Sequence, residues 1–279
     1  MNWNSAIRPL RTRTVMVAGA TAVVVAALAV TLPGNADATP ATGPRPTIVL
    51  EHGAFADASS WNGVIQNLKK KGYPVIAAAN PLRSPASDAA YLRSVLNRID
   101  GPVVLVGHSY GGTVITDAAV GQDNVKALVY IAAFIPDIGE TSLGLSNKYP
   151  GSTLGNVLEQ ATYTLPDGTT GTDLTIKPDK FRAQFAADVS AKDAVLMATT
   201  QRPIAAAALE EETTRTAWKT IPSWSLIATQ DNNIPPAAQR YMSERAGSHT
   251  TEVKASHAVA ASRPDTVTRL IEQAAHTAK

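Results

Sequence analysis

One serine in this chain sits where a hydroxyl could become a nucleophile. Gly107-His108-Ser109-Tyr110-Gly111-Gly112 follows the apolar run Val103-Val104-Leu105-Val106 and leads into a stretch of helical character. G-x-S-x-G between a strand and a helix makes a very tight turn. A Cβ two residues before or after the serine would meet neighbouring backbone, so Gly107 and Gly111 are needed on steric grounds. Such a turn lifts the Ser109 hydroxyl above the sheet edge. It also aims the following N–H groups and the helix N-terminus at any oxyanion that develops there. A phosphate-binding loop is excluded, because no G-K-[ST] ending follows.

A serine hydroxyl is a weak nucleophile until a base takes its proton and a carboxylate orients that base. His257, in Ala255-Ser256-His257-Ala258 between the last expected strand and the last helix, is the candidate base. His52 and His108 adjoin glycines in tight turns and suit a geometric role. His249 is expected just before a strand, and His276 lies at the C-terminal end. Asp231, in Gln230-Asp231-Asn232-Asn233-Ile234-Pro235 directly after the apolar strand Leu226-Ile227-Ala228-Thr229, is the favoured acid, because on such a sheet the acid sits on a loop after a later strand, in the order serine, acid, histidine. Asp137, in Phe134-Ile135-Pro136-Asp137-Ile138-Gly139-Glu140, is the rival acid, with Glu140 behind it. Two main-chain donors would complete the set. One is the N–H of Tyr110. The other is the N–H of Ala54 in the turn His52-Gly53-Ala54-Phe55, with Phe55 as second choice. Each such donor is worth about 3 kcal/mol of transition-state stabilisation.

These residues need a scaffold that brings distant loops to one edge. Short apolar runs at Thr47–Leu50, Tyr73–Ala79, Val103–Val106, Val125–Ala133, Ser223–Thr229 and Thr251–Val253 read as strands. Helical spacing appears at 57–72, Ser87–Ile99, Thr113–Val120, Pro236–Arg245 and Pro264–Ala275. The alternation predicts βαβ units and a mostly parallel, doubly wound sheet of about six strands, apolar on both faces. The pattern breaks at Pro136. Residues 136–216 read as an inserted cap. A hairpin is expected about Pro166-Asp167-Gly168, with helical pieces at Pro178–Val189, Lys192–Thr199 and Pro203–Glu212. The α/β core is then 47–135 and 217–279.

The first 38 residues read as a secretory signal: Arg8, Arg11 and Arg13, an apolar run from Val15 to Leu32, and the small residues Ala36 and Ala38. Cleavage after Ala38 would release a chain that begins at Thr39 with a Pro-rich linker, 39–46. The alternative is an uncleaved membrane anchor, since the apolar run is just long enough to span a bilayer. The formal net charge of +2 is accounted for by the three leader arginines against Asp37, so the remainder is charge-balanced. With no basic stripe, nucleic acid is not an expected partner. The chain has no cysteine, which excludes disulfides and thiolate metal sites. The histidine spacing contains no metal-binding motif, so no metal or other cofactor is expected.

Taken together, HGAF with Trp61, GHSYGG, AAFIPDIGE, the QDNNIPP run and SHAV resemble the α/β-hydrolase superfamily. Within it they are similar to small bacterial hydrolases related to plant methylesterases and hydroxynitrile lyases. The resemblance runs from about Thr47 to the end. It implies a serine hydrolase that cleaves a small carboxylic ester or lactone, with Ser109 as nucleophile, His257 as base, Asp231 as acid and backbone donors at Ala54 and Tyr110. The family's opening β-hairpin has no counterpart here. The same fold also serves cofactor-free perhydrolases (haloperoxidase-like enzymes) and hydroxynitrile lyases. The latter use a cap lysine, for which Lys148, Lys177, Lys180 and Lys192 are available. A non-catalytic binder is a further alternative. Trp218, Trp224, Phe181, Phe185, Met197 and Gln201-Arg202-Pro203 are candidates to line a pocket or to form the core of the cap.

Overall fold

The apolar runs become a single six-stranded sheet in the computed structural model, which describes residues 45–278. The expected signal segment and most of the linker lie outside the described residues. The strands are β1 (Thr47–Glu51), β2 (Val75–Ala78), β3 (Val103–His108), β4 (Val125–Ile131), then β8 (Ser223–Ala228) and β9 (His249–Val253). Their order is β2-β1-β3-β4-β8-β9, and every pair is parallel. The expected strand number and parallel character therefore hold.

The sheet is apolar on both faces because its strands β1, β3 and β4 alternate between two cores. Val49, Val103, Leu105, Leu128 and Tyr130 face one cluster. Ile48, Leu50, Val104, Val106, Val129 and Ile131 face the other. The first face is covered by α2 (Pro85–Leu96), α3 (Tyr110–Ala118) and α8 (Pro236–Arg245), through Leu92, Val114 and Met242. The second face is covered by α1 (Asn62–Lys70), α9 (Val259–Ser262) and α10 (Pro264–Thr277), through Val64, Leu68, Val259, Val267 and Ile271. A strand with a helix on either side can be hydrophobic at every position, which is why these runs look continuous rather than alternating. Local signals set the helix starts. Ser84 caps α2 by accepting from the Ser87 N–H at 3.1 Å, and Pro85 fills the first turn.

Strand order reverses at β1 and β3. In an open parallel sheet, the loops leaving two such strands diverge and leave a crevice at their C-terminal ends. His52–Phe55 leaves β1 there, and Ser109 leaves β3.

Between β4 and β8 lie α4 (Ser142–Asn147), β5 (Leu158–Thr164), β6 (Thr170–Ile176), α5 (Pro178–Phe185), α6 (Ala191–Thr200), β7 (Ile204–Ala205) and α7 (Ala206–Glu210). The hairpin turns at Pro166-Asp167-Gly168 as expected, where Asp167 Oδ1 accepts from the Thr169 N–H at 2.9 Å. Three features differ from the sequence reading. Pro203–Glu212 is not one helix. Ile204 and Ala205 extend to pair with Leu174 and Asp173 of β6, so strand pairing takes the first residues and leaves only the short α7. Helix α5 stops at Phe185, short of Val189. His249 is inside β9 rather than before it, opposite Trp224, with the two rings 5.0 Å apart.

The inserted segment is tied to the sheet loops by main-chain bonds. Ala205 N–H donates to Leu82 O at 3.0 Å, Phe55 N–H to Arg202 O at 3.2 Å, and Ala258 N–H to Phe185 O at 2.9 Å. Among the described residues, no helix is long and apolar enough to cross a membrane.

Candidate active site

Ser109 is the last link between β3 and α3, and its backbone is strained, with φ 55° and ψ −125°. A non-glycine residue rarely sits at positive φ, and those that do concentrate at functional sites. Two glycines make the turn possible. A Cβ on Gly107 would lie 2.6 Å from Gly111 O, and one on Gly111 would lie 2.6 Å from Glu51 O. Both are closer than real Cβ contacts allow. The helix therefore begins at Tyr110, directly after the serine, rather than at Thr113.

The structure brings His257 and Asp231 to this serine. His257 Nε2 is 2.8 Å from Ser109 Oγ, and His257 Nδ1 is 2.6 Å from Asp231 Oδ2. All three side chains are buried, Ser109 at 6% exposure, His257 at 1% and Asp231 at 3%. The loop after β8 fixes the carboxylate. Oδ1 accepts the N–H groups of Asn233 (2.7 Å) and Ile234 (3.0 Å), and Oδ2 also accepts Gln239 Nε2 at 2.9 Å. With four donors on it, the carboxylate cannot rotate away from the imidazole. Because Asp231 Oδ2 faces Nδ1, the Nδ1–H tautomer follows, and Nε2 is free to accept the serine proton.

The rival acids lie elsewhere. Asp137 Oδ1 pairs with Lys219 Nζ at 2.5 Å, and that hydrogen bond holds its carboxyl below the usual carboxylate range. Glu140 takes both guanidinium nitrogens of Arg245, at 2.7 and 2.8 Å. Burial pushes the Glu140 carboxyl up, but the Arg245 bonds outweigh it and leave it lowered. Neither acid bonds to His257.

The two candidate main-chain donors are unengaged. The Ala54 and Tyr110 N–H groups find no acceptor among the described residues, whereas Phe55 gives its N–H to Arg202 O. That removes Phe55, the second choice, as a free donor. His52 holds the loop in place through both ring nitrogens. Nδ1 lies 2.9 Å from Gly53 O, and Nε2 accepts the Asn80 N–H at 3.1 Å, the arrangement of a neutral imidazole. Burial, the largest influence, lowers its pKa and keeps it neutral.

Sequence reasoning missed several supports. The His108 ring lies 4.7 Å from that of His257, and its Nε2 is 2.9 Å from His257 O. Burial, followed by the neighbouring His257, pushes the His108 pKa well down, so a neutral ring packs behind His257. Phe185 of the inserted segment packs edge-on against His257 at 4.9 Å. Gln239 lies eight residues beyond Asp231 on α8, and no local pattern marks it.

A small cavity opens beside Ser109, lined in part by Ala54, Phe55, Tyr110, Phe134, Asn233 and Ile234. Trp218, Trp224, Phe181, Phe185 and Met197 are not among its lining residues. Phe181 and Phe185 stack on each other at 5.0 Å as core, and Trp218 Nε1 donates to Pro136 O at 2.8 Å. Among the described residues, no lysine lines this cavity. Lys148 Nζ sits over the Tyr241 ring at 4.7 Å, and Lys180 pairs with Asp179 at 2.8 Å.

Similarity to known proteins agrees with this architecture. An alpha/beta hydrolase of Aspergillus novofumigatus is 26% identical over 253 residues, covering 83% of this chain and 97% of that protein. A carbendazim hydrolyzing esterase of a Nocardioides species is 33% identical over 116 residues. That match covers 36% of this chain and about half (47%) of the esterase. The crystal structure of polyneuridine aldehyde esterase superposes with a TM-score of 0.71 at 20% identity, over 82% of this chain and 99% of that one, a likeness of fold. The model of the alpha/beta hydrolase family matches residues 48–270, and the chain belongs to that family.

Proposed function

We propose that this protein is a serine hydrolase that cleaves a small carboxylic ester or lactone through an acyl-enzyme. The observation that carries this reading is the His257 ring, hydrogen-bonded to Ser109 Oγ on one side and to Asp231 Oδ2 on the other. As Ser109 Oγ attacks the carbonyl carbon, His257 Nε2 takes its proton. Asp231 keeps the ring oriented and offsets the charge of the imidazolium. The carbonyl oxygen becomes an oxyanion facing the Ala54 and Tyr110 N–H groups. Collapse of the tetrahedral species breaks the bond to the alcohol oxygen, which takes the proton from Nε2 as it leaves. Water then attacks the acyl-serine. His257 accepts the water's proton and returns it to Ser109 Oγ, and the carboxylic acid departs. In a lactone, the departing alcohol stays tethered to the acyl group until that last step.

The esterase relatives support the substrate class, and the apolar lining suits a neutral substrate. Short p-nitrophenyl esters test it. Hydrolysis by the wild type should be lost in folded Ser109→Ala. Equal hydrolysis by both proteins would overturn the reading. The basic, apolar and small-residue order of the first 38 residues supports export, with a mature chain that begins at Thr39. N-terminal sequencing of protein recovered from the medium tests that reading, and retention of the leader in a membrane fraction would contradict it.

A further inference from the structure

The cavity beside Ser109 is walled mainly by hydrocarbon, and the polar side chains lining it are almost all engaged with protein. Ser146 Oγ donates to Asn233 O at 3.0 Å, and Ser142 Oγ shares a 2.9 Å bond with Thr113 Oγ1. Asn233 is the exception. It lines the cavity, is 3% exposed, and lies two residues beyond Asp231.

The surrounding network fixes which way its amide points. Gln184 reaches the main-chain oxygen of Asn232 at 2.8 Å, and a carbonyl can only accept, so the Gln184 atom there is Nε2. The same Nε2 lies 2.8 Å from the Asn233 side chain, so the Asn233 atom facing it is Oδ1. Gln184 Oε1 accepts from Thr153 Oγ1 at 2.8 Å, as that orientation requires. The Asn233 main chain is held as well, since its N–H donates to Asp231 Oδ1. What remains is Nδ2, which has two hydrogens and no acceptor among the described residues. Nδ2 is not sealed from solvent, and a ligand oxygen in the cavity can take the place of water on it.

Ser109, Ala54 and Tyr110 border this cavity, but His257 does not. The leaving oxygen has to face His257 Nε2 to receive its proton, so the acyl arm is the part that enters the cavity. We infer that Asn233 selects the acyl group: its Nδ2 donates to an ether or carbonyl oxygen in an otherwise hydrocarbon acyl chain. The preferred substrates are neutral oxygen-bearing acyl esters. Among the described residues, no cationic side chain lines the cavity to hold a carboxylate.

This inference rests on the ester-hydrolase reading above, and the test separates the two. The probes are the p-nitrophenyl ester of hexanoic acid and its isosteres, in which one chain methylene at a time is replaced by an ether oxygen. The readout is the ratio of kcat/KM for each oxygen-bearing ester to that for the plain ester. Two variants remove the donor in different ways. Asn233→Asp keeps an acceptor for Gln184 but replaces the NH2 with oxygen. Asn233→Leu is uncharged. Effects on folding or on the histidine act on both esters and cancel in the ratio. For at least one oxygen position, the wild-type ratio should exceed that of both variants by about tenfold, the worth of one well-placed neutral hydrogen bond. Ratios that match in wild type and variants at every position, with the plain ester still hydrolysed, would overturn the role of Asn233 alone. No hydrolysis of any ester by the folded wild type would overturn the hydrolase reading and this inference with it.

Discussion

The sheet and the segment inserted between β4 and β8 solve different problems with the same kinds of residue. In the sheet, every position of β3 and β8 is buried, and the apolar side chains of β1, β3 and β4 divide between two cores. In the insert, Ile138, Leu165, Val195 and Leu196 are large, apolar and exposed, and strand β5 has no fully buried residue. The sheet half carries Ser109, Asp231 and His257, each on a loop leaving a strand or leading into a helix. The insert supplies walls and contacts, such as Phe185 against His257 and Leu143, Leu154 and Leu209 on the cavity. The Ser109–His257–Asp231 contacts thus lie on the sheet half, and the two halves share the walls of the cavity.

The difference can be broken most forcefully at the two aspartates. Asp231 belongs to the sheet loops, whereas Asp137 opens the insert. Asp231→Asn should lower kcat by about 10⁴ with the fold retained, because the amide leaves His257 in the wrong tautomer. Asp137→Asn should leave kcat nearly unchanged and cost less than about 1 kcal/mol of stability, since its ion pair with Lys219 lies at the surface. Ester kinetics together with urea unfolding check both, and a reversal of the two kcat effects would contradict the comparison.

A smaller effect is expected where the insert is best packed. Phe181 is fully buried and stacks on Phe185. Phe181→Ala should cost about 3–5 kcal/mol in denaturant unfolding. It should also raise KM by loosening the contact behind His257. Leu196→Ser on exposed α6 should change stability by no more than about 0.5 kcal/mol.

The sheet was legible because buried parallel strands are short, apolar and separated by helices of regular period. The serine turn was legible because its glycines are dictated by backbone contact. The order of Asp231 and His257 after it followed from the chain's path along the sheet edge. The Gln239 bond to Asp231 was not legible, since it joins a loop to a helix face with no local signature. The sequence marks His108 only as a turn residue and not as the ring packed behind His257. The insert is the least legible part of the chain. Its short helices carry weak periodicity, and β7 exists because the edge of β6 was available, a tertiary fact that outweighs the helix preference of the alanine-rich run 205–208.

A further effect concerns pH. Glu51 ends β1 fully buried, and both its carboxyl oxygens lack a partner among the described residues. Burial, then the nearby Asp88, raises its pKa well above the ordinary 4.5. The folded state therefore keeps this proton while the unfolded chain releases it, and stability falls as pH rises above about 4.5. Burial lowers the pKa of His52 and of His108, so the unfolded chain takes up protons that the folded one refuses. That costs stability as pH falls below about 6.5. Glu51→Gln should raise Tm relative to the wild type at pH about 8 and have less effect at pH about 4. Thermal melts across this range check it, and a gain confined to acidic pH would contradict the burial of an uncharged Glu51.

The central claim is that Ser109, activated by His257, is the one reactive hydroxyl of the protein. A fluorophosphonate probe followed by peptide mass spectrometry tests it most directly. A single adduct on Ser109, absent from folded His257→Ala, is the result this account predicts. A folded wild-type protein that stays unlabelled, or carries the adduct on another residue, would contradict it.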